Sequence, residues 1–233
     1  MMQRRQVGGR RRHAAAVVAL AGLLCLAAAG CIKLSQEYPQ KTSYALDVLR
    51  PGLARTDEAP AVLKVRKFRS MPRFEGRGLV SRTGEHQYDA DYYHEWFVPP
   101  GTMVTQQVVN WMASSGLFAH VLATSSVVEE TYLLEGTVTG LYGDYREAGA
   151  PKAVVGIEFV LIDARDEAGG VLFQRNYERV RPVGGRSPDL LVQAWNDDLQ
   201  EILAAMESDL AEVLRKIDAR RAAPSSEPAR PGR

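Results

Sequence analysis

The segment "DYYHEWFVPPGTMVTQQVVNWMASSG", residues 91–116, predicts a strand that runs through a proline pair into an amphipathic helix. Proline is tolerated in the first turn of a helix but not in its interior, so the predicted helix starts at Gly101 or Thr102. Gly116 stands where glycine commonly follows a helix end. One face of this helix carries Val104, Val108, Trp111, Met112 and Ser115.

The strand before this helix has two faces of different chemistry. Side chains alternate across a strand, and the predicted strand covers residues 87–98. One face carries Tyr88, Ala90, Tyr92, His94, Trp96 and Val98. The other carries Asp89, Asp91, Tyr93, Glu95 and Phe97. Because the first face is large and apolar, we expect it to be buried, with His94 as a hydrogen-bonded core residue.

Strand patterns continue on both sides of this segment and predict one domain at residues 43–218. A short apolar run at 44–49 comes first. The predicted strands then lie at 62–68, 78–82, 87–98, 131–142, 153–163 and 171–180. The turn at 166–170, which ends in two glycines, joins the last two strands as a hairpin.

A second, longer helix closes the domain. Ser187 caps it, and Pro188 and Asp189 fit its first turn. Its apolar face comprises Leu191, Trp195, Leu199, Ile202, Leu203, Met206, Leu210, Val213, Leu214 and Ile217. Burial against a sheet explains this stripe better than a lipid groove does. The sequence therefore predicts an α+β fold, a single domain with a mostly antiparallel or mixed sheet and two main amphipathic helices packed on it.

The ends of the chain predict export and a lipid anchor. Residues 1–30 combine a basic start with the uncharged apolar run 14–29, as in a secretory signal peptide. The run ends in "AAGC", which resembles the bacterial lipobox with Cys31 as the acylated residue. Residues 31–42 then form a tether, and the polar, proline-containing residues 219–233 are predicted to be a disordered tail.

Cysteine usage and charge exclude several classes of function. Cys25 lies in the signal peptide and Cys31 is the acylation site, so the mature chain has no thiol for catalysis or metal binding. The chain has 29 Lys and Arg against 28 Asp and Glu, and its first 30 residues contain five arginines and no acid, which leaves the remainder with a formal net charge of −4. A mildly acidic domain lacks the basic footprint of a nucleic-acid-binding protein.

Candidates for catalysis or metal binding are concentrated in one stretch. They are His86, Asp89, Asp91, His94 and Glu95. Strict alternation places the three acids on the face opposite His94, which argues against a shared metal or catalytic role. His86 falls near a turn and is expected to be exposed. The sequence contains no catalytic motif and no cofactor motif.

Aromatic residues suggest a contact surface instead. The predicted burial of one strand face leaves Tyr93 and Phe97 on the other face and Phe74 in a loop. Exposed aromatic side chains suit a protein contact surface, so Phe74, Tyr93 and Phe97 are candidate partner-contact residues. The alternative is a sheet that is covered on both sides.

Several segments together resemble a known family. In chain order they are the lipobox, "SYALD" from 43, "LKVRKFR" from 63, "GRGLVSRTG" from 76, "YYHEWFVPP" from 92, "ASSGLFAHV" from 113, "YLLEGTVT" from 132, and the final amphipathic helix. The chain thus resembles the ABC-type transport auxiliary lipoproteins over residues 43–218.

This resemblance implies a non-enzymatic component of an intermembrane lipid transport system. Its expected partners are a periplasmic MCE-domain protein with its inner-membrane permease and ATPase, further copies of this chain as a homo-oligomer, and phospholipid as cargo. The resemblance implies anchoring at the periplasmic face of the outer membrane, through acyl groups such as palmitate on Cys31. Ile32 agrees, because lipoproteins of the inner membrane often carry Asp there.

Two other classes stay open on sequence grounds. One is a structural or regulatory outer-membrane lipoprotein of a cell-envelope assembly machine, such as an activator of a cell-wall synthase. The other is a periplasmic hydrolase that uses Asp89, Asp91 or Glu95. Neighbouring genes for a permease, an ATPase and an MCE protein would favour lipid transport over both.

Overall fold

The computed structural model describes residues 40–56, 59–166 and 170–222. The strands are β1 (Thr42–Tyr44), β2 (Ala59–Val65), β3 (Arg69–Ser70), β4 (Gly78–Arg82), β5 (Tyr88–Trp96), β6 (Phe118–Ala123), β7 (Tyr132–Asp144), β8 (Lys152–Asp163) and β9 (Val171–Pro182). The helices are α1 (Pro100–Ser115) and α2 (Pro188–Ala222), and a 3-10 turn covers Pro72–Phe74. The predicted α+β class, with two helices on a mixed sheet, is confirmed.

Several predicted segments lie outside the described residues. They are the signal peptide, Cys31, the tether before Gln40 and the tail after Ala222. Helix α2 continues past residue 218 to Ala222. In the described ranges, neither helix combines the length and the apolar character that a membrane span requires.

The sheet is organised around β7, which pairs along both of its edges. On one edge it forms an antiparallel ladder with β8, and β8 continues the ladder to β9. Three shorter strands share the other edge in parallel, namely β2 at the start of β7, β3 in its middle and β4 at its end. Strand β6 extends β2, while β5 and then β1 extend β4. The sheet therefore divides into two arms on that side.

Helix α1 follows β5 in one arm and leads into β6 in the other arm. It ends as predicted, because Gly116 adopts the left-handed conformation with φ 68°. All five residues of its predicted apolar face are buried. A Cβ at Gly116 would also lie 2.6 Å from the carbonyl oxygen of Arg55, so both conformation and space favour glycine here.

Helix α2 supplies the centre of the core. Trp195 is fully buried, and its ring centroid lies 5.3 Å from that of Trp96 at the end of β5. The predicted stripe of α2 is buried from Leu191 to Leu214, except for the half-buried Val213. Burial of a large apolar side chain contributes about 1.5–3 kcal/mol, so this stripe stabilises the packing of α2 on the sheet.

The apolar run at 44–49 belongs to a strand only at its first residue, because β1 ends at Tyr44. Side chains of both helices hold the backbone that follows. Gln107 of α1 accepts from the N–H of Val48 at 3.1 Å and donates to the carbonyl of Leu46 at 2.9 Å. Asn196 of α2 accepts from the N–H of Asp47 at 2.7 Å. These bonds replace a strand ladder, so the segment runs irregularly along the helices.

A buried ion pair fastens the end of this segment to α2. The guanidinium of Arg50 donates to both carboxylate oxygens of Glu207, at 2.8 and 2.9 Å. The indole N–H of Trp111 in α1 donates to the same carboxylate at 2.8 Å. Three separate parts of the chain therefore meet at Glu207.

Candidate functional site

The stretch with the most candidate residues, on β5, contains a large bulge. Strands β4 and β5 pair in register from Arg82 with Tyr88 to Val80 with Ala90, and then the register shifts so that Gly78 pairs with Glu95. The segment 91–94 has more residues than the part of β4 opposite it. A Cβ at Gly78 would lie 2.6 Å from the carbonyl oxygen of Asp91, so the close approach of the bulge requires glycine at that position.

The Asp91 side chain closes this bulge. Its Oδ1 accepts from the backbone N–H of Tyr93 at 2.7 Å and from that of His94 at 3.0 Å. Its Oδ2 lies 2.8 Å from Nδ1 of His94. Burial alone would raise the pKa of Asp91, but the bonds from His94 and from the two N–H groups lower it below the ordinary value. The carboxylate thus acts as the cap of an Asx-type turn inside the strand.

The prediction that His94 and the nearby carboxylates point in opposite directions is wrong for Asp91. The bulge breaks the two-residue period of the strand, so residues three positions apart come into contact. The predicted burial of this face is also wrong for Ala90 and Tyr92, which are exposed, Tyr92 to 69%. His94 is not a core residue either, because 35% of its side chain is exposed. Trp96, beyond the bulge, is 1% exposed, as the alternation predicted.

The other candidates for catalysis have separate partners. Asp89 accepts a bond from the hydroxyl of Thr83 at 3.1 Å. Glu95 pairs with Arg77 at 2.7 Å and with Lys41 at 3.3 Å. His86 is exposed, as expected. Among the described residues, no three His, Cys, Asp or Glu side chains are grouped to hold a metal ion.

A cavity of about 330 Å³ lies between β4, β5 and the start of α2. Leu79 and Leu191 contribute apolar walls, and Asp89, Asp91 and Arg186 contribute charges of both signs. Its described lining also includes the hydroxyls of Ser81 and Thr83 but no histidine, cysteine or lysine. Of these two hydroxyls, that of Thr83 donates to the Asp89 carboxylate at 3.1 Å.

Exposed aromatic side chains occur in the bulge and just after the end of β5. Tyr92, Tyr93 and Phe97 are 69%, 39% and 68% exposed, and we call these three residues the β5 aromatic surface. In the described ranges, they are the only aromatic residues among the large exposed apolar side chains. The two tyrosine rings meet edge to face at 5.1 Å.

The first residues of the described chain border this surface. The ammonium group of Lys41 lies 4.4 Å from the ring centroid of Tyr92. The backbone N–H of Phe97 donates to the carbonyl of Tyr44 at 2.7 Å. Sequence reasoning missed Lys41 and Tyr92, because only the parallel pairing of β1 with β5 brings these distant positions together.

Phe74 does not belong to the β5 aromatic surface. The expectation that it lies in an exposed loop is wrong, because it is 2% exposed. Its ring stacks on Tyr142 with centroids 5.8 Å apart and planes at 3°. Tyr88 packs edge-on against both rings. Phe74 therefore fills an aromatic cluster within the domain, which leaves Tyr93 and Phe97 as the exposed candidates.

Comparison with known proteins finds one family. The sequence model of the ABC-type transport auxiliary lipoprotein component matches residues 44–207. No curated protein matches the chain.

The fold is similar to solved structures. Protein XCC0632 from Xanthomonas campestris, of family DUF330, has a TM-score of 0.67 at 18% identity, covering 76% of this chain and 99% of that one. An uncharacterized protein has a TM-score of 0.57 at 19% identity, covering 73% and 99% of the two chains. At these identities the likeness concerns the fold.

Proposed function

The chain belongs to the ABC-type transport auxiliary lipoprotein family, and on this basis we propose that it is a non-enzymatic, lipid-anchored component of an intermembrane lipid transport system. The observation that carries the proposal is the extent of the family match, which runs from the last residue of β1 into α2. It includes all of the strands β2 to β9. The match therefore concerns the whole domain rather than one motif.

The anchor in this proposal is Cys31. Signal cleavage before the cysteine and acylation by two or three chains, palmitate among them, attach the domain durably, because each buried methylene contributes about 0.8 kcal/mol. Ile32 after the cysteine supports an outer-membrane rather than an inner-membrane position. The domain then lies on the periplasmic face of that membrane.

The geometry of the site supports a role without catalysis. Asp91 is engaged in capping the bulge, Glu95 in pairing with two cations, and Asp89 in a bond with Thr83. A general base needs free access to a reacting proton. These carboxylates have structural partners instead, so we assign them to the architecture of β5.

The partners in this proposal are a periplasmic MCE-domain protein and its inner-membrane permease and ATPase. The auxiliary lipoprotein, as a homo-oligomer, receives the far end of the conduit at the outer membrane, and phospholipid is the cargo. An ABC-type auxiliary component acts together with a transporter, which supports this assignment.

Co-purification tests the proposal. The full-length chain, with an affinity tag after Arg233, is extracted from membranes in mild detergent, and bound proteins and lipids are identified by mass spectrometry. We expect an MCE-domain protein and phospholipid. A matched preparation of Cys31→Ser, which cannot be acylated, controls for capture that does not depend on the membrane. Recovery of a cell-wall synthase in place of transporter components would assign the chain to envelope assembly and contradict the proposal.

A further inference from the structure

We propose that the β5 aromatic surface, together with Lys41, lies against the lipid headgroups of the membrane that holds the anchor. The β1–β5 edge is then the membrane-facing side of the domain. This inference rests on the lipid anchor of the proposed function and adds the orientation of the domain on the bilayer.

The first argument is position. Strand β1 pairs in parallel with the end of β5, Thr42 with His94 and Tyr44 with Trp96, so the chain enters the domain beside the aromatic surface. Cys31 precedes Gln40 by nine residues, which span at most about 30 Å when fully extended. An anchor at Cys31 therefore limits residue 40, at the start of this edge, to within about 30 Å of the membrane surface.

The second argument is the chemistry of the side chains. Tyrosine is enriched at membrane–water interfaces, because its ring contacts acyl chains while its hydroxyl stays among headgroups. Tyr92 and Tyr93 present such rings to solvent, and Phe97 adds a wholly apolar ring. Lys41 lies over the Tyr92 ring, and a lysine can rest its stem on apolar surface while its ammonium stays in the polar layer.

The third argument is charge. Lys41 and Arg77 both pair with Glu95, and with the ionised Asp91 nearby these four side chains have a formal net charge of zero. The nearby Asp91 carboxylate is directed into the bulge and bonds with His94. The neutral balance places no excess of negative charge against the phosphate groups of lipids, and the Lys41 ammonium at the rim can pair with one of them.

Distribution over the domain supports a single membrane-facing edge. The other large exposed apolar side chains of the described ranges are aliphatic or methionine and lie on several elements: Leu49, Leu53, Met71, Val127, Val128, Val171, Val180 and Leu190. Singly exposed aliphatic residues are normal on a protein surface. Strand β9, which carries Val180, is reached from β7 through β8, whereas β1 is reached from the other edge of β7 through β4 and β5.

The cysteine content of the chain allows a direct test by site-specific labelling. Cys25 leaves with the signal peptide and Cys31 is acylated, so an introduced cysteine is the only thiol of the mature protein. An environment-sensitive fluorophore is attached to the cysteine of Phe97→Cys, which places the label in the aromatic surface. Val180→Cys, at a residue 52% exposed on β9, is the matched control. Thermal unfolding of both variants establishes that each is folded.

The full-length lipidated variants are reconstituted into vesicles of phosphatidylethanolamine and phosphatidylglycerol that contain brominated acyl chains as quenchers. We expect several-fold stronger quenching, and a blue-shifted emission, for the label at 97 than for the label at 180. Interfacial side chains reach about 5–10 Å into the boundary between headgroups and acyl chains, which is within range of quenchers near the carbonyls.

Three results would overturn the inference, and they are distinguishable. Equal, weak quenching at both positions, in protein that floats with the vesicles, would leave the anchor intact and reject the membrane-facing edge. Protein that does not float would reject the anchor itself and this orientation with it. A label at 97 that stays aqueous in vesicles but becomes shielded in native membranes would assign the surface to a protein partner.

Discussion

Asp91 and His94 pair at 2.8 Å within a single strand, three positions apart, where a regular strand would turn their side chains to opposite faces. The same carboxylate accepts two backbone N–H groups of the bulge. The bulge in turn exposes Tyr92 while Trp96 still enters the core. The bulge that Asp91 caps therefore sets which side chains β5 presents to its surroundings.

We expect the capping bonds of Asp91 to matter more for stability than its charge. Asp91→Ala removes the acceptor for two N–H groups and should lower the free energy of unfolding by about 1 kcal/mol. Asp91→Asn keeps an oxygen acceptor and should cost less. His94→Ala should have a small effect, because the pair is more than one-third exposed. Urea unfolding of the three variants measures the order, and a larger loss for His94→Ala than for Asp91→Ala would contradict it.

The same variants test whether the pair has a role beyond structure. In the proposed function, folded His94→Ala and Asp91→Asn proteins should retain lipid transport. A loss of transport in a variant with unchanged unfolding would indicate chemistry at this pair.

The low pKa of Asp91 stabilises the fold above the ordinary carboxyl range, and this contribution is lost as the pH falls through the folded pKa. Asp91→Asn should therefore differ most from the natural chain near neutral pH.

Asp198 should show the opposite pH dependence. Its Oδ1 accepts from Arg181 at 2.8 Å, but its buried Oδ2 has no hydrogen-bond partner among the described residues. Burial raises the pKa of Asp198 above its ordinary value, and the Arg181 bond offsets this only in part. A raised carboxyl pKa means that stability is lost as the pH rises through the folded pKa. Asp198→Asn should gain stability relative to the natural chain between acidic and neutral pH, and parallel pH profiles would contradict this.

Breaking the buried pair between Arg50 and Glu207 should strongly destabilise the domain. Both side chains are about nine-tenths buried, and Arg50→Ala leaves the Glu207 carboxylate without its cation. Removal of one partner of a buried ion pair costs about 3–5 kcal/mol. Lys216→Ala, in an exposed pair with Glu212 on the same helix, is the control and should change little. Equal melting temperatures for the two variants would contradict the role assigned to Glu207.

Gly116→Ala should destabilise the junction of α1 and β6. Its φ of 68° disfavours a Cβ, and the carbonyl of Arg55 lies where that Cβ would be. Loss of this conformation should cost more than about 1 kcal/mol. Gly76→Ala, at a position with nothing within 4 Å of an added Cβ, should be nearly neutral. Chemical denaturation compares them, and an equal midpoint for Gly116→Ala and the natural chain would show that the turn tolerates a side chain.

The proposed anchor depends on one of two neighbouring cysteines. Cys31→Ser should abolish incorporation of labelled palmitate and release the protein from the outer-membrane fraction into the soluble periplasm. Cys25→Ser should do neither, because that residue leaves with the signal peptide and Leu24 precedes it where a lipobox needs a small residue. Metabolic labelling and membrane fractionation measure both effects. Unchanged fractionation of Cys31→Ser would mean that the membrane association has another cause.

Local patterns predicted the parts of the fold whose contacts are close in sequence. The C-terminal end of α1, the stripe of α2 and the β8–β9 hairpin follow from glycine chemistry and from side-chain periodicity. Strand β6 was missed, because its main-chain partners lie in β2, on the far side of α1 in the sequence. Parallel pairing between strands that are distant in sequence produces no recognisable pattern in a short window of residues.

The sequence by itself determined the class of the fold, the two helices and the family, because each depends on the order and spacing of neighbouring residues. Only the tertiary structure decided which side chains β5 exposes and which it buries. The register shift against β4 joins Asp91 to His94 and exposes Tyr92, the 3-10 turn buries Phe74, and β1 brings Lys41 to the aromatic surface. Side-chain direction in a bulged strand depends on its pairing partners, and those partners are distant in the chain.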